Sequence, residues 1–520
     1  MEARLAAADA LLSWVVASGG EPNVRLAADS HGGVRMVASA DIASGEAAFS
    51  CPVRLLLTPA VALEELPALR KAHPLLCDRW RVILLLMHAR QKREASFWAP
   101  YVQSLPGDEL PASLPLHWPE ATRSALLRGT PLLTRGAREW HAEVTRFHAE
   151  VVSPLCERDP ETFPSDDFAF PLLCWAHAVF WSRAICVDGL PGGRQECLVP
   201  LLDMANHRPG CTSQLAVERR PASGDGGSTA GASLAAGALH HYALRVSQRV
   251  PAGEEVSINY GAKGNGELLR YHGFVIEGNP ADVAELDLAP LTADNERLAL
   301  ARAMRRGFLR PFLFAGGLPD GLLPAARMLC AAPGAELEAA LATARGEAPP
   351  AARGDDECTE EANGGGCGGG GGGTAGGGFD WSLVDWSAED PFAAANAAAA
   401  AAEPPAGRAC ETRTLDALRR LLSHRLEELP PAEAAADELA AESGVPSAGA
   451  AAEAAESART YLAGQRALLE EAASRLGALR DQLDTRSSAA SARGRAEDAP
   501  RGSCPKRQRS AREGEDVHAA

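Results

Sequence analysis

The sequence lacks the patterns that mark several large classes of protein. None of its 12 cysteines forms a CxxC pair with another, and no paired Cys and His residues stand at zinc-ligand spacing. We therefore predict no metal site and no disulfide framework. The longest apolar run near the N-terminus, residues 82–87, is far too short to cross a bilayer, which predicts a soluble protein with no membrane partner.

The sequence also lacks an excess of positive charge. Its 51 Lys and Arg residues are outnumbered by 68 Asp and Glu residues, and the formal net charge is −17. A nucleic-acid-binding surface normally carries a basic stripe, so no nucleic-acid partner is expected. The acidic balance suits basic partners instead, such as a lysine-rich peptide.

The first twenty residues indicate a helix rather than a targeting segment. Leu5, Leu11 and Val15 stand at helical spacing, and the acids Glu2 and Asp9 are foreign to a transit peptide. This segment favours a location in the cytoplasm or nucleus. A chloroplast location is expected only if the N-terminus is incomplete.

The pattern of apolar and turn residues changes several times along the 520 residues, and such a length predicts two domains with linkers. Residues 25–57 alternate short β-type runs with turns, and residues from about 60 to 165 are mainly helical in pattern. Strands are predicted again at Tyr242–Val246 and Val256–Tyr260. Beyond Pro280, helices are predicted at Leu298–Leu309, Leu322–Cys330, Leu415–Leu429 and Ala451–Leu483.

Three segments have compositions that cannot bury enough apolar surface to offset the entropy of ordering them. These are the Gly/Ser/Ala loop 221–237, the Gly- and Ala-rich insertion 346–407, and the tail 484–520. We predict that all three are disordered. Trp381 and Trp386 lie within the second segment and could pack back onto the fold.

Three short segments hold a dense group of chemically useful side chains. An apolar run from Leu198 leads into Asp203, Asn206 and His207, and Tyr260-Gly261 follows about fifty residues later. The third segment is Glu267–Phe274. Taken singly, each has an ordinary structural explanation: Asn-His can cap a turn, and Tyr260 can be a core aromatic with a solvated hydroxyl.

Together, in this order and spacing, these segments resemble the closing half of a SET domain. The subclass is that of the Rubisco large-subunit lysine methyltransferase, which also includes the actin histidine methyltransferase. Residues 23–52 resemble the opening SET strands, and the segment Trp181-Ser182-Arg183-Ala184 resembles the Ser-Arg segment of the family. Further matches at 97–106, 322–330 and 461–469 extend the resemblance over about residues 1–480.

The resemblance implies an α+β fold class and a set of domains. An N-terminal helix (1–22) precedes a SET β-fold (23–276) that carries an inserted helical region at about 60–165. An all-α C-terminal domain (281–483) then binds the protein substrate. The family subclass needs no zinc, because this helical domain replaces the cysteine-rich segment of other SET proteins. We expect a monomer.

The resemblance also implies a protein-lysine N-methyltransferase that uses S-adenosyl-L-methionine, with a cofactor pocket and a substrate channel meeting end to end. The implied cofactor-binding residues are Gly33, Val34, Arg183, Asn206, His207 and Tyr260. Tyr260 lines the point of methyl transfer and is the implied catalytic residue. The implied substrate-binding residues are Asp203, Ile185 and His272.

The chemistry of methyl transfer fits these residue types. The amine nitrogen, the methyl carbon and the sulfur must be held in line. A lysine amine, with an ordinary pKa near 10.4, must first lose its proton, and an apolar channel lowers that pKa by disfavouring the charged form. A phenol such as that of Tyr260 can orient the amine without itself being charged, so we assign it orientation first and proton transfer second.

The sequence departs from the family pattern at three positions. The family's opening turn reads Glu-Gly-x-Gly-Leu, whereas this chain has Arg35 in place of the second Gly and Gly32 in place of the acid. The family's Tyr-Gly-Phe is here His272-Gly273-Phe274. The Phe that follows the Ser-Arg segment in lysine-modifying members is Ile185 here, and its apolar character favours lysine as the target.

These departures leave two alternatives to a lysine methyltransferase. His272 keeps a protein-histidine methyltransferase open, whereas Arg35 and Gly32 would suit a non-catalytic, SET-derived binding scaffold. The presence of Tyr260 and Arg183 beside the Asn-His pair argues against the scaffold, which has no use for these residues together.

Overall fold

A computed structural model describes most of the chain. The described residues are 2–29, 33–107, 110, 114–118, 120–219, 240–304, 308–345, 404, 406–430 and 448–497. The predicted disordered loop 221–237, nearly all of the insertion 346–407 with Trp381 and Trp386, and the tail beyond residue 497 lie outside them. Among the described residues, no helix combines the length and apolar character needed to cross a membrane.

Short antiparallel sheets form the β part of the fold. A hairpin of β1 and β2 follows the N-terminal helix α1, β3 pairs with β7 and β7 with β6, and β4 pairs with β5. The bounds are α1 Glu2–Ala17, β1 Val24–Ala28, β2 Val34–Ala38, β3 Ala47–Pro52, β4 Ile185–Leu190, β5 Gly193–Cys197, β6 Gln214–Arg219 and β7 His240–Arg245.

The segment predicted as a strand at Val256–Tyr260 is not a regular strand. It makes a single isolated bridge, between Ile258 and His207, and the residue before it, Glu255, bridges to Val37. The reason is that it is held by different neighbours on either side: the Val256 N–H donates to the Met36 carbonyl, and the Ile258 N–H donates to the Asn206 carbonyl. This arrangement joins the opening hairpin to the Asn-His turn.

Helices fill the region between β3 and β4. The central one, α4, buries every residue from Val82 to Ala89, as expected for a helix that is apolar on all sides and surrounded by other elements. It packs against α9, whose Trp175 ring carries the Arg90 guanidinium at 4.0 Å. The bounds are α2 Pro59–Glu65, α3 Pro67–Ala72, α4 Asp78–Gln91, α5 Ala99–Ser104, α6 Glu120–Leu126, α7 Pro131–Phe147, α8 Ser153–Arg158 and α9 Phe170–Arg183.

A second hydrophobic core lies in the C-terminal part of the chain, where Leu322, Met328, Leu418, Leu422 and Leu476 are almost fully buried. The long helices α14 and α15 pack against each other there. The bounds are α10 Asn265–His272, β8 Val283–Glu285, α11 Asn295–Ala303, β9 Phe312–Phe314, α12 Leu322–Cys330, α13 Ala335–Arg345, α14 Arg408–Glu428 and α15 Ala448–Glu497.

Three predictions for this part need correction. The region is not purely helical, because β8 and β9 form an antiparallel pair. The helix predicted at Leu298–Leu309 ends at Ala303, because the Leu309 and Pro311 carbonyls accept from the Leu288 and Leu286 N–H groups instead. The tail predicted to be disordered from residue 484 is helical as far as Glu497, since α15 continues to that residue.

The two parts meet in a small core of their own. Trp118, Leu126 and Leu127 from the inserted helices pack with Leu269 of α10 and with a face of α15 that contains Tyr461. An ion pair supports this junction: Arg135 of α7 donates through both terminal nitrogens to Glu285 of β8, at 2.8 and 2.6 Å. The helix α10 is therefore held from both sides.

A buried carboxylate, Asp282, fixes the start of α10. It is 5% exposed, and its Oδ1 accepts from the backbone N–H of Asn265 at 2.8 Å. Gly464 of α15 lies so close that a Cβ there would stand 2.9 Å from Asp282 Oδ2. Burial raises the pKa of Asp282 from its ordinary value of 3.8 to about 6, against the hydrogen bonds from Asn265 and Val283.

The raised pKa of Asp282 predicts a pH-dependent stability difference. Because the folded chain holds this proton more tightly than the unfolded chain, the contribution of Asp282 to stability falls as pH rises from about 4 through 6. The difference between the ordinary and the folded-state pKa of Asp282 corresponds to about 3 kcal/mol. We expect the free energy of unfolding of Asp282→Asn, measured by urea denaturation, to rise relative to that of wild type as the pH increases over this range. A difference that stays constant from pH 4 to 7 would contradict it.

Candidate active site

The Asn-His turn is built by a tight local fold and then locked to a distant segment. Leu198 bridges to Leu57, Leu201 takes a positive φ of 75°, and a short 3-10 turn at Leu202–Met204 leads into Asn206. Parallel pairing of His207 with Ile258 follows, with the Arg208 N–H donating to the Ile258 carbonyl at 3.0 Å. Two motifs about fifty residues apart in sequence are thereby brought side by side.

Tyr260 lies directly against this turn. Its backbone N–H donates to Nδ1 of His207 at 3.0 Å, and its hydroxyl donates to the Ala205 carbonyl at 2.9 Å. Burial raises the pKa of Tyr260 to about 12, with Arg183 opposing the rise. The side chain is therefore a neutral phenol at physiological pH. Burial also lowers the pKa of His207, which accepts the Tyr260 N–H as a neutral imidazole.

A buried cluster holds Arg183 at the end of α9. Arg183 Nη1 donates to the Asp203 carbonyl at 2.9 Å and lies 3.4 Å from Asp203 Oδ2, which also accepts from the Tyr101 hydroxyl at 2.8 Å. The Asp203 side chain is fully buried. Burial raises the pKa of Asp203, while Arg183 and Tyr101 act against the rise. The hydrogen bonds that Arg183 makes with described residues all use Nη1.

A cavity of about 330 Å³ opens beside Tyr260 and Arg183. Its apolar walls include Ile185, at the start of β4, and the stacked rings of Trp181 and Tyr271, whose centroids are 4.8 Å apart. Charged side chains that are already paired with neighbours stand around it, including Glu196 with Arg79 and Lys263 with Glu267. The cavity therefore combines an apolar side, formed by Ile185, Trp181 and Tyr271, with charged and polar side chains.

His272 forms part of the same cavity wall. It is the last residue of α10, which stops there because Gly273 adopts a left-handed φ of 77°. The His272 ring centroid lies 4.9 Å from that of Tyr260. Burial lowers the pKa of His272 to about 3. The half-buried ring of Phe274 lies 6.0 Å beyond it and 6.4 Å from His207.

Glu255 links the opening hairpin to the Asn-His turn. The Asn206 Nδ2 donates to Glu255 Oε1 at 2.9 Å, and Arg35 Nη1 lies 3.9 Å from Glu255 Oε2. Arg35, the residue that replaces a family glycine, therefore points toward the partner of Asn206. Gly33 stands two residues before it, and a Cβ there would lie 2.4 Å from Asp29 Oδ2, so a side chain at that position would have to displace the Asp29 carboxylate.

The structure thus gathers most of the predicted site residues but distributes them unevenly. Arg183, Ile185, Asp203, Tyr260 and His272 line one cavity. Asn206 and His207 flank it through Glu255 and Tyr260, whereas Gly33 and Val34 lie on the opening hairpin. The Asp203 carboxylate, predicted to bind substrate, meets Tyr101 and Arg183 through Oδ2, whereas Oδ1 is buried without a hydrogen-bond partner among the described residues. Among the described residues, no cluster of His, Cys, Asp and Glu could hold a metal ion.

Three site residues were missed at the sequence level. Tyr101 supports Asp203 across 102 residues of chain, and no local pattern signals that contact. Trp181 forms part of the cavity wall, and its position directly before Ser182 and Arg183 was the available signal. Glu255 could have been found from its charge, because the exchange of a family glycine for Arg35 calls for a nearby carboxylate.

Relatives of known activity are similar to this chain in sequence. The chain is 26% identical over 255 residues to the ribosomal lysine N-methyltransferase set10 of Schizosaccharomyces pombe, covering 49% of this chain and 42% of the relative. It is 24% identical over 304 residues to the N-lysine methyltransferase setd6 of Xenopus tropicalis, covering 56% and 62%. The chain is related to SET-domain protein methyltransferases.

Similarity extends to enzymes of both target types and to solved structures. The actin-histidine N-methyltransferase of Dasypus novemcinctus is 25% identical over 284 residues, covering 53% of this chain and 43% of the relative. The SET domain of LSMT bound to lysine and AdoHcy superposes with a TM-score of 0.61 at 18% identity, covering 92% of this chain and 93% of that one. Rubisco LSMT bound to AdoMet gives 0.59 at 19% identity, with the same coverage. The shared fold is the SET-domain fold.

The sequence matches cover only part of the length of each relative. The chain spans about two fifths to three fifths of the length of the curated relatives it matches. No family model matches the chain. The similarity therefore shows an α+β fold of the SET-domain kind, and the residues of the cavity are left to indicate the chemistry.

Proposed function

We propose that this chain is a protein-lysine N-methyltransferase that uses S-adenosyl-L-methionine. One observation carries the proposal: Arg183 and the neutral phenol of Tyr260 line a single cavity, and the Asn206-His207 turn lies directly against Tyr260. A binding scaffold has no need for a neutral phenol and a buried guanidinium at the end of such a cavity. Relatives named as lysine methyltransferases support the same reading.

The residues present fit this cofactor. Arg183 uses only Nη1 for its partners among the described residues, which leaves donors for a carboxylate. The ring of Phe274 beside His207 offers an aromatic surface for an adenine. Gly33, Val34 and Asn206 would complete the pocket from the opening hairpin and the turn. When bound, S-adenosylmethionine supplies an electrophilic methyl carbon for transfer to the substrate nitrogen.

The substrate side of the cavity suits a lysine side chain. Ile185, Trp181 and Tyr271 provide an apolar channel for the methylene stem. This environment disfavours the ammonium and lowers the pKa of the amine, so that its proton passes to water at the cavity mouth. Tyr260 then holds the free amine in line for transfer. The apolar Ile185 favours lysine over histidine, because nothing polar at that position can hold a second imidazole nitrogen.

The protein substrate is proposed to bind through the C-terminal helical region, 281–483. The separate hydrophobic core of that region and its firm junction with α10 support the assignment, because they place a large surface beside the helix that carries His272. We expect the enzyme to act as a monomer in the cytoplasm or nucleus.

Binding of S-adenosylhomocysteine provides the first test. At 100 times its dissociation constant, this product should raise the free energy of unfolding by about 2.7 kcal/mol, measured as a rise in melting temperature. Incubation of a cell extract with radiolabelled S-adenosylmethionine should label protein bands, and mass spectrometry should place the label on lysine. The absence of both a thermal shift and labelling would favour the scaffold. Label on histidine would favour the alternative enzyme.

A further inference from the structure

The position of His272 gives this site a feature that the proposed function alone does not explain. Its ring forms the cavity wall next to Tyr260, with ring centroids 4.9 Å apart, and α10 holds it there. The helix itself is fixed at its start by Asp282 and at its end by Gly273. The imidazole is therefore a rigid part of the place where an amine would stand.

The protonation state of His272 decides what it can offer. Burial lowers its pKa to about 3, and the positive charges of Lys263 and Arg183 lower it further, so the ring is neutral at physiological pH. A neutral imidazole has one N–H donor and one bare nitrogen acceptor. Whichever nitrogen carries the proton, the ring keeps one acceptor nitrogen on the cavity wall.

Tyr260 supplies a second acceptor in the same space. Its hydroxyl hydrogen is directed to the Ala205 carbonyl at 2.9 Å, so the lone pairs of the phenol oxygen remain as acceptors on the cavity wall. An unmethylated lysine amine carries two N–H bonds beside the lone pair that attacks the methyl carbon. Two acceptors therefore match two N–H bonds, and the lone pair is left to point toward the cofactor side.

We propose that His272 selects for lysine amines that still carry N–H bonds, by accepting one of them at its bare ring nitrogen. This inference rests on the proposed lysine methyltransferase function. Each methyl group already on the amine removes one N–H and places a methyl group against an acceptor. A buried acceptor left without a partner carries a desolvation penalty, so later methylations are slower than the first. The enzyme is accordingly a monomethyltransferase in the main.

Free amino acids can test the selection without knowledge of the protein substrate. The probes are lysine and its Nε-monomethyl, dimethyl and trimethyl forms, titrated calorimetrically into the full-length protein saturated with S-adenosylhomocysteine. Wild type should bind lysine about tenfold more tightly than dimethyl-lysine, which corresponds to about 1.4 kcal/mol. His272→Leu, which removes the acceptor at similar size, should reduce that ratio to about twofold or less. His272→Asn keeps an acceptor and should retain most of the preference.

The outcomes separate this inference from the function on which it rests. Equal affinities of wild type across the lysine series, or a His272→Leu series identical to that of wild type, would overturn the selection while leaving the methyltransferase intact. Failure of wild type to bind S-adenosylhomocysteine would instead overturn the proposed function. Binding of S-adenosylhomocysteine by both variants shows that they are folded, and the wild-type series tests the inference even if a variant is not.

Discussion

Replacement of Tyr260 by Phe is expected to lower the rate of methyl transfer by about 100-fold or more, while S-adenosylhomocysteine still binds. The substitution removes the hydroxyl group that donates to the Ala205 carbonyl, on a ring that forms the cavity wall beside His272. Misplacement of reacting atoms by about 1 Å can lower a rate by about 100-fold. Transfer of label from radiolabelled S-adenosylmethionine to protein measures the loss, and the thermal shift with S-adenosylhomocysteine measures cofactor binding.

A second tyrosine provides the matched control for this experiment. Tyr242 lies on β7, is 1% exposed and is not part of the cavity wall. Tyr242→Phe removes the same oxygen from a buried ring, so labelling should stay within about twofold of wild type. Full labelling by Tyr260→Phe would remove Tyr260 from the catalytic machinery. Equal losses in both variants would indicate a general effect on folding.

The elements that could be predicted are those with a continuous local signal. Leu322–Cys330 was predicted as a helix, and α12 has the same bounds, because its apolar residues recur at helical spacing up to a stop at Ala331. The mainly helical pattern predicted for residues from about 60 to 165 is likewise confirmed at α4. Neither depends on which distant segments pack around it, so sequence periodicity is sufficient.

The elements that could not be predicted are those shaped by distant partners. Val256–Tyr260 has the alternation of a strand, yet its neighbours are Met36 on one side and Asn206 on the other, which allows bridges only. The helix begun at Asn295 stops early because residues 309–311 pair with residues 286–288. Such competition between segments is a tertiary effect that overrides local propensity.

In the candidate site, too, features with a local sequence signal could be predicted, whereas contacts between distant segments could not. The Asn-His turn and Tyr260 could be assigned from motifs, because each motif is contiguous in sequence. The support of Arg183 could not, since Tyr101 and Asp203 meet only after the inserted helices fold back onto α9. A motif resemblance therefore finds the residues of the cavity wall and its flanking turn more readily than the residues that hold them in place.

The buried pair of Arg183 and Asp203 predicts the largest effect on stability. Arg183→Met should lower the free energy of unfolding by about 3 kcal/mol, because it leaves the fully buried Asp203 carboxylate without its cationic partner. The pKa of Asp203, already raised by burial, should rise further when Arg183 no longer opposes the shift. A folded-state pKa above the unfolded one means that stability falls as pH rises. The penalty should therefore be larger at pH 8 than at pH 5, as measured by urea denaturation.

Neutralisation of the carboxyl group should undo most of this loss. In Arg183→Met with Asp203→Asn, the amide oxygen can still accept from the Tyr101 hydroxyl, so we expect more than half of the lost stability to return and the pH dependence to vanish. Arg194→Met is the exposed control, because its side chain is 68% exposed and 3.9 Å from Asp188, and it should change stability by less than about 0.5 kcal/mol. A double variant no more stable than Arg183→Met would show that the guanidinium acts through packing, and that the buried charge of Asp203 is not what Arg183 balances.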